Sequence, residues 1–141
     1  MRIGITNDHA AVEMKKIILT FLEEKGHEVV NYGADEKTKL SYPEYGKNLA
    51  KAVIDKEVEC GVAICGTGIG ISIAANKVQG IRAAVCSESC SARLAKEHNN
   101  AQIIAFGARI VGEETAKMIV EEWLGAEFQG GRHQARIDML N

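Results

Sequence analysis

With 141 residues, 46% of them apolar and 26% charged, the chain is long enough for one domain to bury a core without disulfides or metals. Seventeen Lys+Arg against nineteen Asp+Glu give a formal net charge of -2, which excludes the global basic field that recruits nucleic acid or an acidic membrane. The opening run MRIGITNDHA has no apolar signal core, and no stretch of about 18 apolar residues follows, so a cytoplasmic location is expected.

Residues 2–6 read as a strand, and Met14, Ile17, Ile18, Phe21 and Leu22 then recur at helical spacing until Gly26 supplies a stop. A second strand is expected over 27–32, then a polar loop to Pro43, then a helix over 44–55 with Tyr45, Leu49, Ala52 and Val53 inward. GVAIC at 61–65 predicts a third strand that runs into a glycine-rich turn at 66–70, with a helix over 71–78 behind it. IRAAVC at 81–86 reads as a strand before a helix at 88–98. QIIAFG at 102–107 precedes a helix in which Ala116, Ile119, Val120 and Trp123 share a face. Residues 125–141 break this rhythm and read as an arm, whose short helix would carry Arg132 and Arg136 one turn apart.

Strands alternating with helices at this spacing imply parallel pairing, right-handed crossovers and a sheet covered on both faces. Ligands of such folds sit at the carboxyl ends of the strands, near a switch in strand order. The four cysteines, Cys60, Cys65, Cys86 and Cys90, contain no CxxC pair and read as free thiols of a reducing compartment. No histidine spacing turns Cys86 and Cys90 into a zinc site, and neither metal nor cofactor is expected.

Four places stand out. Asp8 and His9 follow the first strand, where a helix N-terminus attracts anions, although Asp8 alone would equally serve as an N-cap. Gly66, Gly68 and Gly70 let the backbone approach a ligand closely and turn amides toward one point, as an oxyanion nest requires. The loop is not a dinucleotide fingerprint, because Ile71 stands where the third glycine would fall, and no Gly-Lys-Ser/Thr follows. Cys65 stands at the mouth of this turn, where amides and a helix N-terminus favour a thiolate able to remove a proton; the alternative is a small apolar strand-end residue. His98 and Asn99 close the fourth helix, offering an acid–base group or a C-cap, the latter from Asn99 or Asn100. Arg132, His133 and Arg136 beside Gly130 and Gly131 form a cationic face suited to a phosphate dianion, or else a solvated tail.

Taken together, NDHA at 7–10, SYPEYG at 41–46, CGTGIGISIAANK at 65–77, GIRAAVC at 80–86, SARLAKEHNNA at 91–101, FGARIVG at 106–112 and GGRHQARI at 130–137 resemble the ribose-5-phosphate isomerase B group, which also holds galactose-6-phosphate isomerase subunits. The resemblance spans the chain. It implies one sugar-phosphate isomerase domain over 1–141, a three-layer α/β/α sandwich around a five-stranded parallel, Rossmann-like (flavodoxin-like) sheet, with 125–141 as a helical arm toward a partner subunit. It further implies a metal-independent interconversion of ribose 5-phosphate and ribulose 5-phosphate in a homodimer or dimer of dimers, with each site shared across the interface.

By the same resemblance Cys65 is the base, and the amides of Gly66, Gly68, Ile69 and Gly70 with the Thr67 hydroxyl stabilise an enediolate. Asp8 and His98 assist ring opening, His98 and Asn99 coming from the partner. His9, Arg109, Arg132 and Arg136 hold the phosphate, and Tyr42 flanks the sugar. Thr6, Asn7, Ser41, Cys90 and Asn100 depart from the group's usual residues and bear on which sugar is preferred. The alternatives are an isomerase of allose 6-phosphate, galactose 6-phosphate or a tetrose phosphate, and a non-catalytic sugar-phosphate binder.

Overall fold

The structure is a computed structural model that describes residues 1–36 and 41–140. In chain order it runs β1 (Arg2–Asn7), a short 3-10 turn (His9–Ala11), α1 (Val12–Glu24), β2 (Glu28–Asn31), α2 (Tyr42–Ile54) and β3 (Cys60–Cys65). It continues with α3 (Ile69–Asn76), β4 (Ala83–Val85), α4 (Ser89–Asn99), β5 (Ile103–Gly107), α5 (Glu113–Gly125) and α6 (Arg132–Asp138). The strands form one parallel sheet in the order β2-β1-β3-β5-β4.

Alternation along the central strands divides the core in two. Ile3, Ile5, Val62, Ile64, Ile104 and Phe106 face α1, α4 and α5, where Trp123 is fully buried and its Nε1 donates to the Ala101 carbonyl at 3.0 Å. Ala63, Cys65, Ile103 and Ala105 face α2 and α3. That second layer sits close because β1 and β3 carry Gly4 and Gly61 under Leu49: a Cβ at either would lie 2.5 or 2.6 Å from Leu49 Cδ1. The expected three-layer sandwich is therefore present, with small residues drawing one helical layer onto the sheet.

Several element bounds differ from expectation, each for a local reason. On α1 the buried positions are Met14, Lys15, Ile18 and Leu22, while Ile17 and Phe21 are only half-buried. α2 begins at Tyr42, not 44, because proline is tolerated in a first helical turn, where its missing N–H has no acceptor to lose; Val53 is half-buried, and Gly46 and Ala50 complete its inner face. α3 begins at Ile69, which shortens the glycine turn to 66–68.

β4 has three residues instead of six. Its outer edge is occupied by a side chain: Asn76 Oδ1 accepts from Ala83 N at 2.7 Å and Asn76 Nδ2 donates to Ala83 O at 2.9 Å, so the amide mimics a neighbouring strand and closes a free edge. Beyond β5, the arm turns through Gly130 and Gly131, both at positive φ (64° and 54°), and lays α6 on α4 of the same chain. Among the described residues no helix is long and apolar enough to cross a membrane.

Candidate active site

Two clusters carry the expected site residues, and they stand at opposite edges of the sheet. The first gathers where β1, β3 and β5 end. Cys65, the last residue of β3, is 4% exposed, and its Sγ accepts the Gly68 N–H at 3.1 Å. The sulfur thus takes a backbone hydrogen bond one turn before the start of a helix.

The chain makes this turn because residue 68 is glycine. Its φ is 80°, and a Cβ would lie 2.5 Å from the Phe106 carbonyl carbon, so the backbone packs directly on β5. Thr67 is exposed, and its Oγ1 accepts the Ile69 N–H at 3.2 Å, which leaves the hydroxyl proton to be donated outward. Two of the expected nest amides, those of Gly68 and Ile69, are thus directed at the side chains of Cys65 and Thr67. α3 has no side-chain cap, so the amides of Gly70 and Ile71, in its first turn, lack helical acceptors.

The loop after β5 stacks on this turn, with Arg109 N donating to Gly66 O at 3.0 Å and the Arg109 guanidinium lying over Gly66, 3.2 Å from a Cβ built there. Tyr42, at the start of α2, lays its ring on Gly70 at 2.6 Å from the corresponding Cβ position. On the β1 side, Asp8 N donates to Ile64 O at 3.2 Å, which binds the end of β1 to β3, and Asp8 Oδ1 accepts from Ala10 N at 2.9 Å. Asp8 is therefore an N-cap as well as a site candidate, and His9 beside it is exposed. Asp8, His9, Tyr42, Cys65, Thr67 and Arg109 share this edge.

The second cluster lies at the other edge, where β4 and β5 begin. α4 is the crossover between these parallel strands, so its last residues, His98 and Asn99, reach the amino ends of the sheet. Arg82 ties them down, its Nε donating to Asn99 O at 2.8 Å and its Nη2 to Asn100 O at 3.1 Å. Asn100, at φ 45°, is the C-cap.

The His98 ring stacks on that of His133 in α6, centroids 4.4 Å apart and planes 9° apart. Burial first, then the charges of His98, Arg132 and Arg136, hold the His133 imidazole below the usual histidine range. Arg132 and Arg136 are exposed one turn apart on the same helix. A cavity of about 520 Å³ opens at this edge, with Asn76, Gln79, Arg82, Asn99 and Leu140 among its lining, and no residue of the first cluster takes part. A five- or six-residue strand separates the two edges by about 15–20 Å.

Sequence reasoning placed His133 in a cationic group and missed its pairing with His98. It also missed Lys15, whose side chain is 1% exposed and whose ammonium meets Asp35 at 2.7 Å. A helical spacing of 15, 18 and 22 was the available signal. Of the departures from the expected pattern, Thr6 and Asn7 are fully buried, and Thr6 Oγ1 donates to Tyr45 O at 3.1 Å. Ser41, the residue that precedes α2, and Cys90, in the first turn of α4, are exposed.

The sequence profile of the family described as Ribose/Galactose Isomerase matches residues 3–140. The chain is 49% identical to ribose-5-phosphate isomerase B of Escherichia coli, over 99% of this chain and 93% of that one. It is 43% identical to the D-erythrulose-4-phosphate isomerase of Pectobacterium atrosepticum, with the same coverage. Among solved structures, ribose-5-phosphate isomerase B of Clostridium thermocellum superposes with a TM-score of 0.97 at 50% identity, covering 99% of this chain and 95% of that one.

Proposed function

This chain belongs to the ribose/galactose isomerase family and is an isomerase, and on that premise we propose that it interconverts ribose 5-phosphate and ribulose 5-phosphate through a cis-enediolate. The observation that carries the chemistry is the Cys65 sulfur, held by the Gly68 amide beneath the uncapped start of α3.

With the open-chain aldose bound, the Cys65 thiolate takes the C2 proton; the C–H pair forms the C1=C2 double bond, and the C1=O1 pair moves onto O1. The first-turn amides of α3 and the outward Thr67 proton stabilise the resulting oxyanion. Return of the proton to C1, with the O2 proton passing to O1, gives the ketose. Asp8 and His98 exchange protons with the ring oxygen and the C1 hydroxyl to open the sugar. His9, Arg109, Arg132 and Arg136 grip the phosphate, Asn99 binds sugar hydroxyls and Tyr42 flanks the chain. Binding energy from the dianion fixes C1 and C2 against the sulfur, so a phosphate-free pentose reacts poorly.

One protomer holds the two clusters a strand length apart, which supports a homodimer, or a dimer of dimers, in which the second copy brings His98, Asn99 and the 125–141 arm to the Cys65 edge. Ile69 and Ile73, each 53% exposed one turn apart on α3, supply an apolar face beside the site for that contact. Four free cysteines support a cytoplasmic location, where the reaction serves pentose phosphate metabolism.

The test is kcat/KM for ribose 5-phosphate against allose 6-phosphate and a tetrose phosphate, with EDTA present. A preference of at least about tenfold for ribose 5-phosphate is expected, the scale on which a pocket discriminates one carbon. A preference for the tetrose or hexose overturns the substrate and keeps the chemistry. Retention of turnover by Cys65→Ala overturns the chemistry.

A further inference from the structure

We propose that Lys15 is a positioning residue for Asp8 and His9, acting through the Ala34 carbonyl and the Asn7 amide; the proposal rests on the site assignment above. Lys15 lies on the inner face of α1 between Met14 and Ile18, where an apolar side chain would avoid the cost of burying an ammonium. Its Nζ donates to Ala34 O at 2.9 Å, Asp35 Oδ1 at 2.7 Å and Asn31 Oδ1 at 3.4 Å.

The Ala34 carbonyl uses its second lone pair to accept from Asn7 Nδ2 at 2.9 Å, and the other proton of that amide goes to Asp8 O at 2.8 Å. Ala34 N closes the loop by donating to Asn7 O at 3.1 Å. A continuous relay therefore runs from the inside of α1 to the backbone that carries the Asp8 carboxylate and starts the His9 turn. Among the described residues Asn7 Oδ1 is buried without a hydrogen-bond partner, so the two donor bonds orient the amide, and flipping it would set oxygen against two carbonyls. Neither Lys15 nor Asn7 touches the open side of the site. Their chemistry is spent on where the Asp8 main chain lies.

The test is a double-mutant cycle of Lys15→Met and Asn7→Ala, run well below the unfolding midpoint, reading kcat and KM for ribose 5-phosphate and the affinity for inorganic phosphate by calorimetry. Each single variant is expected to lower kcat/KM about 10- to 100-fold, the scale of a small misplacement transmitted from outside the chemistry. The double variant should lose no more than the more damaging single variant, because both cut one relay. Losses that multiply, or folded variants with kcat and KM unchanged, overturn the proposal and leave Lys15 a residue of stability alone.

Should Lys15→Met not fold, Asn7→Ala decides by itself, since it cuts the relay while Lys15 and Ala34 stay paired; an unchanged kcat/KM overturns the proposal. If the wild-type protein turns over no sugar phosphate, the site assignment fails, and the cycle is then read on phosphate affinity. Non-additive weakening sustains the role of Lys15, and additive weakening or none overturns it.

Discussion

Cys65, Thr67 and Asp8 stand on backbone that is hydrogen-bonded across β1, β3 and β5, whereas His98, Arg132 and Arg136 stand on the end of one helix and on a seven-residue helix laid against it. The first group is held by ladder bonds and by crossed loops, such as Ala108 N to Cys65 O at 2.9 Å. The second depends on a few contacts: Gln129 N to Glu97 O at 2.9 Å, the buried Ile137, and the stacked histidines. In the proposed assignment the sheet thus positions the groups that would move protons at carbon, where an error of an ångström is costly. The groups proposed to grip phosphate would tolerate a docked arm, because charge attraction falls off gently with distance.

The most demanding way to break this comparison is to ask whether the two groups ever meet. Cys65→Ala and His98→Ala should each lose about 10²- to 10⁴-fold in kcat, the usual worth of a general base or acid. If one site draws on two copies, mixing and reassorting the inactive variants gives mixed dimers with one site intact and one carrying both lesions. About a quarter of wild-type activity should return for an equal mixture that pairs at random in twofold dimers. No return would place both groups of a site in one chain.

A smaller effect sharpens the division of labour. Arg132→Ala and Arg136→Ala should lower kcat/KM for the phosphorylated sugar about 10- to 100-fold, as expected for lost charge-assisted bonds to a dianion. Their trace activity on free ribose should be unchanged. An equal loss on both sugars would give the arm a role at the reacting carbons.

The smallest effect concerns pH and stability. Because the folded state depresses the His133 imidazole, its contribution is fully present above the ordinary histidine value of about 6.5 and is lost as pH falls through the folded value. Asp35, held low first by the Lys15 hydrogen bond and then by Asn31, keeps its contribution above the ordinary value of about 3.9 and loses it only in stronger acid. Acidifying from about pH 7.5 to about pH 5.5 should therefore lower the amide-exchange protection of residues 129–138, each rate taken relative to its intrinsic rate at that pH, and leave the protection of residues 8–11 unchanged. An equal loss of protection in both would show that the arm is no looser than the sheet.

The glycines around Cys65 were legible because they interrupt a β-branched run and fix a strand-to-helix turn wherever they occur. The start of α3 was not, because Gly70 reads as turn when its context is unknown, and only the Tyr42 ring lying on it shows why a helical residue there has no side chain. The length of β4 was equally hidden. IRAAVC has strand composition, yet its edge is closed by Asn76, and Gln102 Oε1 takes the Arg82 N–H at 2.7 Å. Lys15 escaped notice because one of its acceptors, Ala34 O, is a loop carbonyl that no side-chain pattern reports. Family motifs gave the arm and His98 an expected role, but only the fold shows that they sit across the sheet from Cys65.

The placement of β5 between β3 and β4 also has a bearing on how the chain is made. β4 pairs with β5 alone, so residues 83–85 leave the ribosome with no strand to join until residues 103–107 follow. During synthesis β1 to β3 can assemble first, with Phe106 and Trp123 still missing from the core that will cover them. The nascent protein therefore carries an open β3 edge and a bare apolar face through the middle of translation, an interval in which strand addition by another chain competes with its own completion.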